Sequence, residues 1–119
     1  MAHVFKNKTA NPQFAEVFDV TPQDVLDNSK DLTLIDVREI SEFSGELGHV
    51  PGSKLVVLST IPEKLKTIPT DNKTVVFICR SGGRSSQAAA FAKANGLTDV
   101  FNMQGGMLLW NHLQLPTEK

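Results

Sequence analysis

Thr74–Asn95, TVVFICRSGGRSSQAAAFAKAN, is the stretch from which the fold can be worked out. Its first five residues, Thr74–Ile78, are β-branched or aromatic and form a run short enough for a buried strand. Cys79, the only cysteine of the chain, follows at once. Arg80, Ser81, Gly82, Gly83, Arg84 and Ser85 then read as a loop. The alanine-rich Ser86–Ala94 has strong helix propensity, and Gly96 is placed to stop it. A cysteine at a strand end, facing a helix N-terminus across glycines and arginines, is suited to handling anions.

On either side of this unit, strand and helix signals alternate. Val17–Val20 is a short strand. Thr21-Pro22 is an N-cap followed by proline at the first helical position, and that helix runs to about Asn28. Leu32–Asp36 is the next strand, with Asp36 and Arg38 at its carboxyl end. Glu39–Phe43 is one helical turn, Ser44–Gly52 a glycine- and proline-punctuated loop, and Lys54–Leu58 a third core strand. Ile61–Leu65 is a short helix with Pro62 near its start, and Pro69–Lys73 a turn. Asp99–Met103 is the last strand. Gly105-Gly106 leads into a short helix carrying Leu108, Leu109 and Trp110, and Pro116 ends the ordered chain.

The alternation predicts an α/β fold in three layers, a mainly parallel central sheet flanked by helices on both faces. Residues 1–16, polar and broken at Asn11-Pro12, read as an N-terminal arm that trails or covers a sheet edge. Residues 17–116 read as a single domain. Loops at the carboxyl ends of parallel strands gather along one edge, where ligands bind. Asp36, Arg38 and Cys79 are thereby expected in one site.

Bulk properties narrow the function. A chain of 119 residues holds one domain with a sizeable core. A net charge of −1 provides no general drive toward nucleic acid or anionic membrane. No apolar run approaches the roughly 18 residues of a membrane span, and Met1–Phe14 lacks the apolar stretch of a secretory signal. The expected location is the cytoplasm. One cysteine makes neither an internal disulfide nor a multi-cysteine zinc site.

Cys79 is the candidate nucleophile. Gly82-Gly83 permits close backbone approach and an inward-facing set of N–H groups. Arg80 and Arg84 add positive charge, and no acidic residue lies between Asp71 and Asp99. Such surroundings favour a thiolate over a thiol. The same groups would hold phosphate or an anionic sulfur species. The spacing separates the two: Cys79 and Arg84 are C-x4-R, one residue shorter than the C-x5-R of cysteine phosphatases, and a tighter bowl suits sulfur carried on the cysteine. Other residues have plainer readings. Asp36 and Arg38 brace strand ends, His49 is a loop or core hydrogen-bonder, Trp110 is core, and Ser81 and Ser85 are loop caps or ligands.

At this point the chain resembles the rhodanese (thiosulfate sulfurtransferase) family. The residues that carry the resemblance are CRSGGRS at Cys79–Ser85, LIDVRE at Leu34–Glu39, Glu42-Phe43 with GHVPGS at Gly48–Ser53, and GGMLLW at Gly105–Trp110. It covers roughly Phe18 to Trp110. Two features depart from the common pattern: the stretch before Gly48 is about two residues longer, and Ser53 stands where alanine is usual.

The resemblance implies sulfur transfer through a Cys79 persulfide, from thiosulfate or a similar small anionic donor to a thiol or dithiol acceptor that can itself be a protein. Arg80–Ser85 would bind the substrate, Asp36 and Arg38 would give structural support, and neither metal nor organic cofactor would be needed. It leaves the oligomeric state open. Phosphatase or arsenate reductase chemistry on the same fold, protein-to-protein sulfur carriage and a non-catalytic binding module are the alternatives. The presence of Cys79 and both arginines speaks against the last.

Overall fold

The computed structural model describes residues 5–68 and 74–119. Its strands are β1 (Thr9–Ala10), β2 (Phe18–Val20), β3 (Leu32–Asp36), β4 (Lys54–Leu55), β5 (Thr74–Ile78) and β6 (Val100–Met103). Among the described residues they form one sheet in the order β1-β2-β6-β5-β3-β4. Only β1 with β2 is antiparallel; the remaining pairings are parallel. Helices α1 (Pro22–Asp27), α2 (Ile40–Phe43), α3 (Ile61–Lys64), α4 (Gly83–Ala94) and α5 (Gly106–His112) connect or follow them.

Both faces of the sheet are covered, and side-chain alternation divides the core in two. Val75, Phe77 and Cys79 face α4 and α3, where they pack with Ala88, Ala89, Ala92 and Ile61. Val76 and Ile78 face the other way, toward Val25 of α1 and Met107 and Trp110 of α5. Ala88, Ala89 and Ala92 are wholly buried. Their small side chains let α4 lie close against β5, which is why this helix is rich in alanine rather than leucine. α1 begins as its sequence predicts: Thr21 Oγ1 accepts from the Asp24 N–H at 3.1 Å, and Pro22 holds the first helical position.

Three expectations change. Lys54–Leu58 is not a core strand. Only Lys54 and Leu55 pair, against Ile35 and Asp36 at the sheet edge, and Leu58–Thr60 is a 3-10 turn. β3 ends at Asp36, so the incoming chain instead bonds across the strand end, Val56 N–H to Asp36 O and Leu58 N–H to Val37 O. The second change is at α4, which starts at Gly83, three residues earlier than its alanine content suggests. The N-terminal arm, for which trailing and covering a sheet edge were both open, lies along the edge: Thr9–Ala10 pairs with β2, and Phe5 and Asn11 are buried. Finally, the chain stays ordered past Pro116: Glu118 and His49 form an antiparallel bridge, and Trp110 Nε1 donates to Pro116 O at 2.9 Å. The turn expected at Pro69–Lys73 lies outside the described residues.

Candidate active site

Cys79 is the residue next after β5, and its side chain keeps the parity of Val75 and Phe77, toward α4. It is 1% exposed. The Gly82 N–H donates to Cys79 Sγ at 3.0 Å, and Ser85 Oγ lies 3.2 Å from the same sulfur. Gly82 is the N-cap of α4 with φ of 111°, a left-handed conformation that glycine adopts without cost. The first helical bond of α4 is Ser86 N–H to Gly82 O. The N–H groups of Gly83, Arg84 and Ser85 therefore have no acceptor within the helix and add to the positive end of its dipole beside the loop.

The loop's other wall is the start of α5. Met107 N–H donates to Cys79 O and Leu108 N–H to Arg80 O, at 2.9 and 3.0 Å. Gly106 makes this approach possible. A Cβ there would sit 2.5 Å from both of those carbonyl oxygens, and its φ of +55° is again left-handed. This accounts physically for the glycine pair that precedes the last helix.

The two loop arginines differ in setting. Arg80 is exposed and has no carboxylate partner among the described residues. Arg84 forks onto Glu42, with Nη1 to Oε1 at 2.7 Å and Nη2 to Oε2 at 2.9 Å. The Arg84 hydrogen bonds hold the Glu42 carboxyl down at about 2 from its usual 4.5, against the opposing effect of burial. The Glu39 N–H and the nearby arginine charges act in the same direction. Glu42 raises Arg84 in turn, and Cys79 and Asp36 contribute to that rise. Arg84 is thus charged and positioned near the sulfur, but by a carboxylate 42 residues away that the local sequence does not reveal. Ser81 and Gly83 are exposed and Ser85 is buried. Gly83 has open space at its Cβ position and no positive φ, so Gly82 alone of the pair needs to be glycine for backbone reasons.

Asp36 and Arg38 are a buried ion pair, 0% and 1% exposed. Asp36 Oδ1 accepts from Arg38 Nε and from the Arg38 backbone N–H, while Arg38 Nη2 bridges Asp36 Oδ2 and Gly48 O, both at 2.8 Å. They join the end of β3 to the loop at Gly48. No hydrogen bond joins them to the Cys79 loop; Arg38 meets it only across a cleft of about 350 Å³ that is also lined by Glu42, Leu47 and Arg80. On the opposite side of the loop, a cleft of about 610 Å³ lies between Ser81–Gly83 and the arm at Asn11–Gln13. His49 stacks on Phe43 with ring centroids 3.7 Å apart, and its Nδ1 donates to Phe43 O at 2.8 Å, away from the sulfur.

Sequence reading gave no site role to three residues around the site: Glu42, which it quoted only among the residues of the family resemblance, Asn102 and Asp19. Asn102 and Asp19 are buried polar residues inside strands, and alternation sends them toward α4, as it does Val100 and Val17. A polar residue at a core-facing strand position is the signal that marks them.

Residues 21–113 match the family of the rhodanese-like domain. The chain is 40% identical over 77 residues to the protein YqhL of Bacillus subtilis, covering 65% of this chain and 59% of that one. It is 34% identical over 91 residues to a sulfurtransferase of Allochromatium vinosum, covering 76% of this chain and 82% of that protein. A solved structure of a rhodanese-related protein from Thermoplasma volcanium superposes with a TM-score of 0.75 at 31% identity, over 82% of this chain and 94% of that one. The strand, loop and helix that hold Cys79 all lie within the matched span, and the chain belongs to the rhodanese-like domain family.

Proposed function

We propose that the protein is a thiosulfate-type sulfurtransferase working through a persulfide on Cys79. The observation that carries this reading is the cradle at the sulfur: Cys79 Sγ receives the Gly82 N–H at 3.0 Å beside the N-terminus of α4. Donors of this kind stabilise a sulfur anion before and after the reaction.

In the first step the Cys79 thiolate attacks the outer sulfur of thiosulfate. The Sγ–S bond forms, the S–S bond of thiosulfate breaks, and sulfite leaves with its electron pair. Cys79 then carries a terminal sulfur anion. In the second step a thiolate acceptor, or cyanide, attacks that sulfur and takes it, and Cys79 returns as thiolate. A small thiol or a dithiol protein serves as acceptor in a cell. Two half-reactions through a covalent intermediate call for ping-pong kinetics. The exposed Arg80 draws in the dianionic donor, and Arg84, its charge paired with Glu42, braces the first turn of α4 beside the loop. Asp36 and Arg38 hold the neighbouring strand end.

The test is mass spectrometry of the intact protein after incubation with thiosulfate, followed by a sulfur-transfer assay with cyanide. The expected result is a mass gain of one sulfur on Cys79, lost on adding cyanide and absent in Cys79→Ser. Full transfer activity in Cys79→Ser would overturn the reading. So would ready hydrolysis of aryl phosphates by a protein that takes up no sulfur.

A further inference from the structure

A chain of buried polar side chains leads away from Cys79 into the part of the protein that precedes the family match. Ser85 Oγ, 3.2 Å from Cys79 Sγ, is 2.5 Å from Asn102 Oδ1. Asn102 Nδ2 donates to Asp19 Oδ1 at 2.9 Å. The same oxygen accepts from Asn11 Nδ2 at 2.8 Å, and Asn11 Nδ2 also donates to Ser86 Oγ at 2.8 Å. Asn11, Asp19, Ser85, Ser86 and Asn102 are each at most 6% exposed. Strand register builds the chain: Asp19 on β2 pairs with Asn102 on β6, and Asn102 pairs with Phe77, two residues before Cys79. All three positions face α4.

The hydrogen inventory of this network is restrictive. An ionised carboxylate only accepts. Asn102 must therefore turn its NH2 to Asp19 and its carbonyl to Ser85. The Ser85 hydroxyl has one hydrogen and two claimants, Asn102 Oδ1 and Cys79 Sγ. With the hydrogen on Asn102, Ser85 offers the sulfur a lone pair, which suits a thiol S–H. A sulfur anion, which already accepts from the Gly82 N–H, gains a second donor when the hydrogen turns toward it, and then the Asn102 carbonyl loses its donor.

We propose that Asp19 and Asn102 are positioning residues for Cys79: they set the direction of the Ser85 hydroxyl hydrogen, and so how readily the Cys79 sulfur anion forms. The proposal rests on the reading of Cys79 as the reacting group. No bond to Ser85 breaks. The thiol proton leaves to a base in solution, and the Ser85 hydroxyl rotates. The charged groups around Cys79 are Arg84 on α4 with Glu42 on α2, Arg80 in the loop, the Asp36–Arg38 pair after β3, and Asp19 on β2. Asp19 is the one whose influence reaches the sulfur through hydrogen bonds.

The test is the rate of Cys79 alkylation by iodoacetamide as a function of pH, a readout that needs no sulfur transfer. Ser85→Ala removes the hydroxyl that can donate to Cys79 Sγ, and alkylation near pH 6.5 is expected to slow by about tenfold, with the profiles meeting on the alkaline plateau. Asn102→Ala removes the competing carbonyl, frees the Ser85 hydrogen for the sulfur, and is expected to speed alkylation by about threefold or more. Asp19→Ala takes away the acceptor that holds the Asn102 NH2, so Asn102 can turn over, with the same expected sign.

Loss of the Asp19 charge also acts in that direction through space and would persist without Ser85, so the double variant with the uncharged Asn102 decides. If the effect runs through Ser85, Asn102→Ala leaves the Ser85→Ala rate unchanged. Equal acceleration in both backgrounds overturns the proposal, as does a Ser85→Ala profile identical to wild type. Circular dichroism and thermal unfolding accompany each variant. Asn102→Leu, which also removes the carbonyl but leaves a smaller void, replaces Asn102→Ala should that variant not fold. A wild-type protein that follows this alkylation pattern but takes up no sulfur would overturn the sulfurtransferase reading and leave the hydroxyl switch standing.

Discussion

The fork between Glu42 and Arg84 is half-buried, so its energy is tied to pH in a defined way. The Glu42 carboxyl lies at about 2 in the folded protein against 4.5 for an ordinary glutamate. Depression means that folding favours the charged form. The stabilisation is complete above about pH 4.5 and fades as pH falls through the folded value near 2. Solvent screens the pair, whose side chains are 36% and 29% exposed, so Glu42→Gln is expected to cost about 1 kcal/mol at pH 7. Denaturant unfolding of both proteins between pH 7 and pH 2.5 should show the gap closing in acid; a gap constant down to pH 2.5 would refute the ionic account. Residues of this kind also mark how far the sequence could be read. Cys79 and Gly82 were legible because their chemistry lies within six residues. Glu42 was not, since it meets Arg84 only after the chain has crossed the sheet. Asp19 and Asn102 are 83 residues apart and become partners through strand register alone.

At the scale of elements, the strand–loop–helix unit at Thr74–Ala94 was legible because its β-branched run and its alanines carry opposite propensities on either side of a glycine pair. Lys54–Leu58 was not. It has the composition of a core strand, but β3 has only two residues left to pair with it. Composition cannot report where a neighbouring strand stops. The contact between α5 and the loop provides the sharper test of how elements position the sulfur. Gly106→Ala places a methyl group 2.5 Å from Cys79 O and Arg80 O at a left-handed φ. It is expected to destabilise the fold by about 2–4 kcal/mol and to reduce sulfur loading, since the displaced atoms begin the loop. Gly83→Ala meets open space in the first turn of α4 and is expected to change stability by less than about 0.5 kcal/mol. Thermal unfolding of the two variants compares them directly. Equal destabilisation would mean that the loop tolerates no added side chain at either wall.

Across the whole molecule, the two ends of the chain brace opposite sides of the site. The N-terminal arm reaches α4 through Asn11 and Ser86, and Ser86 Oγ donates on to Gly82 O. The C-terminal segment reaches the Gly48–His49 loop, with His49 N–H to Glu118 O at 2.7 Å and Glu118 N–H to His49 O at 2.9 Å. That loop supplies the Gly48 carbonyl to buried Arg38. The ends therefore act on different parts: one on the sulfur's hydrogen-bond partners, the other on the Asp36–Arg38 brace. Deleting Thr117–Lys119 removes the two backbone bonds and is expected to cost about 1–2 kcal/mol, with alkylation of Cys79 unaltered across pH. Asn11→Ala takes one donor from Asp19 and another from Ser86, and the acceptor of the Gln13 and Phe14 N–H groups; it is expected to cost about 2–4 kcal/mol and to alter the alkylation profile as well. Stability from denaturant unfolding and alkylation rates, measured together on both proteins, separate the two effects. If the C-terminal deletion also moved the alkylation profile, the ends would not act independently, and the Arg38 brace would have to be counted among the groups that govern the sulfur.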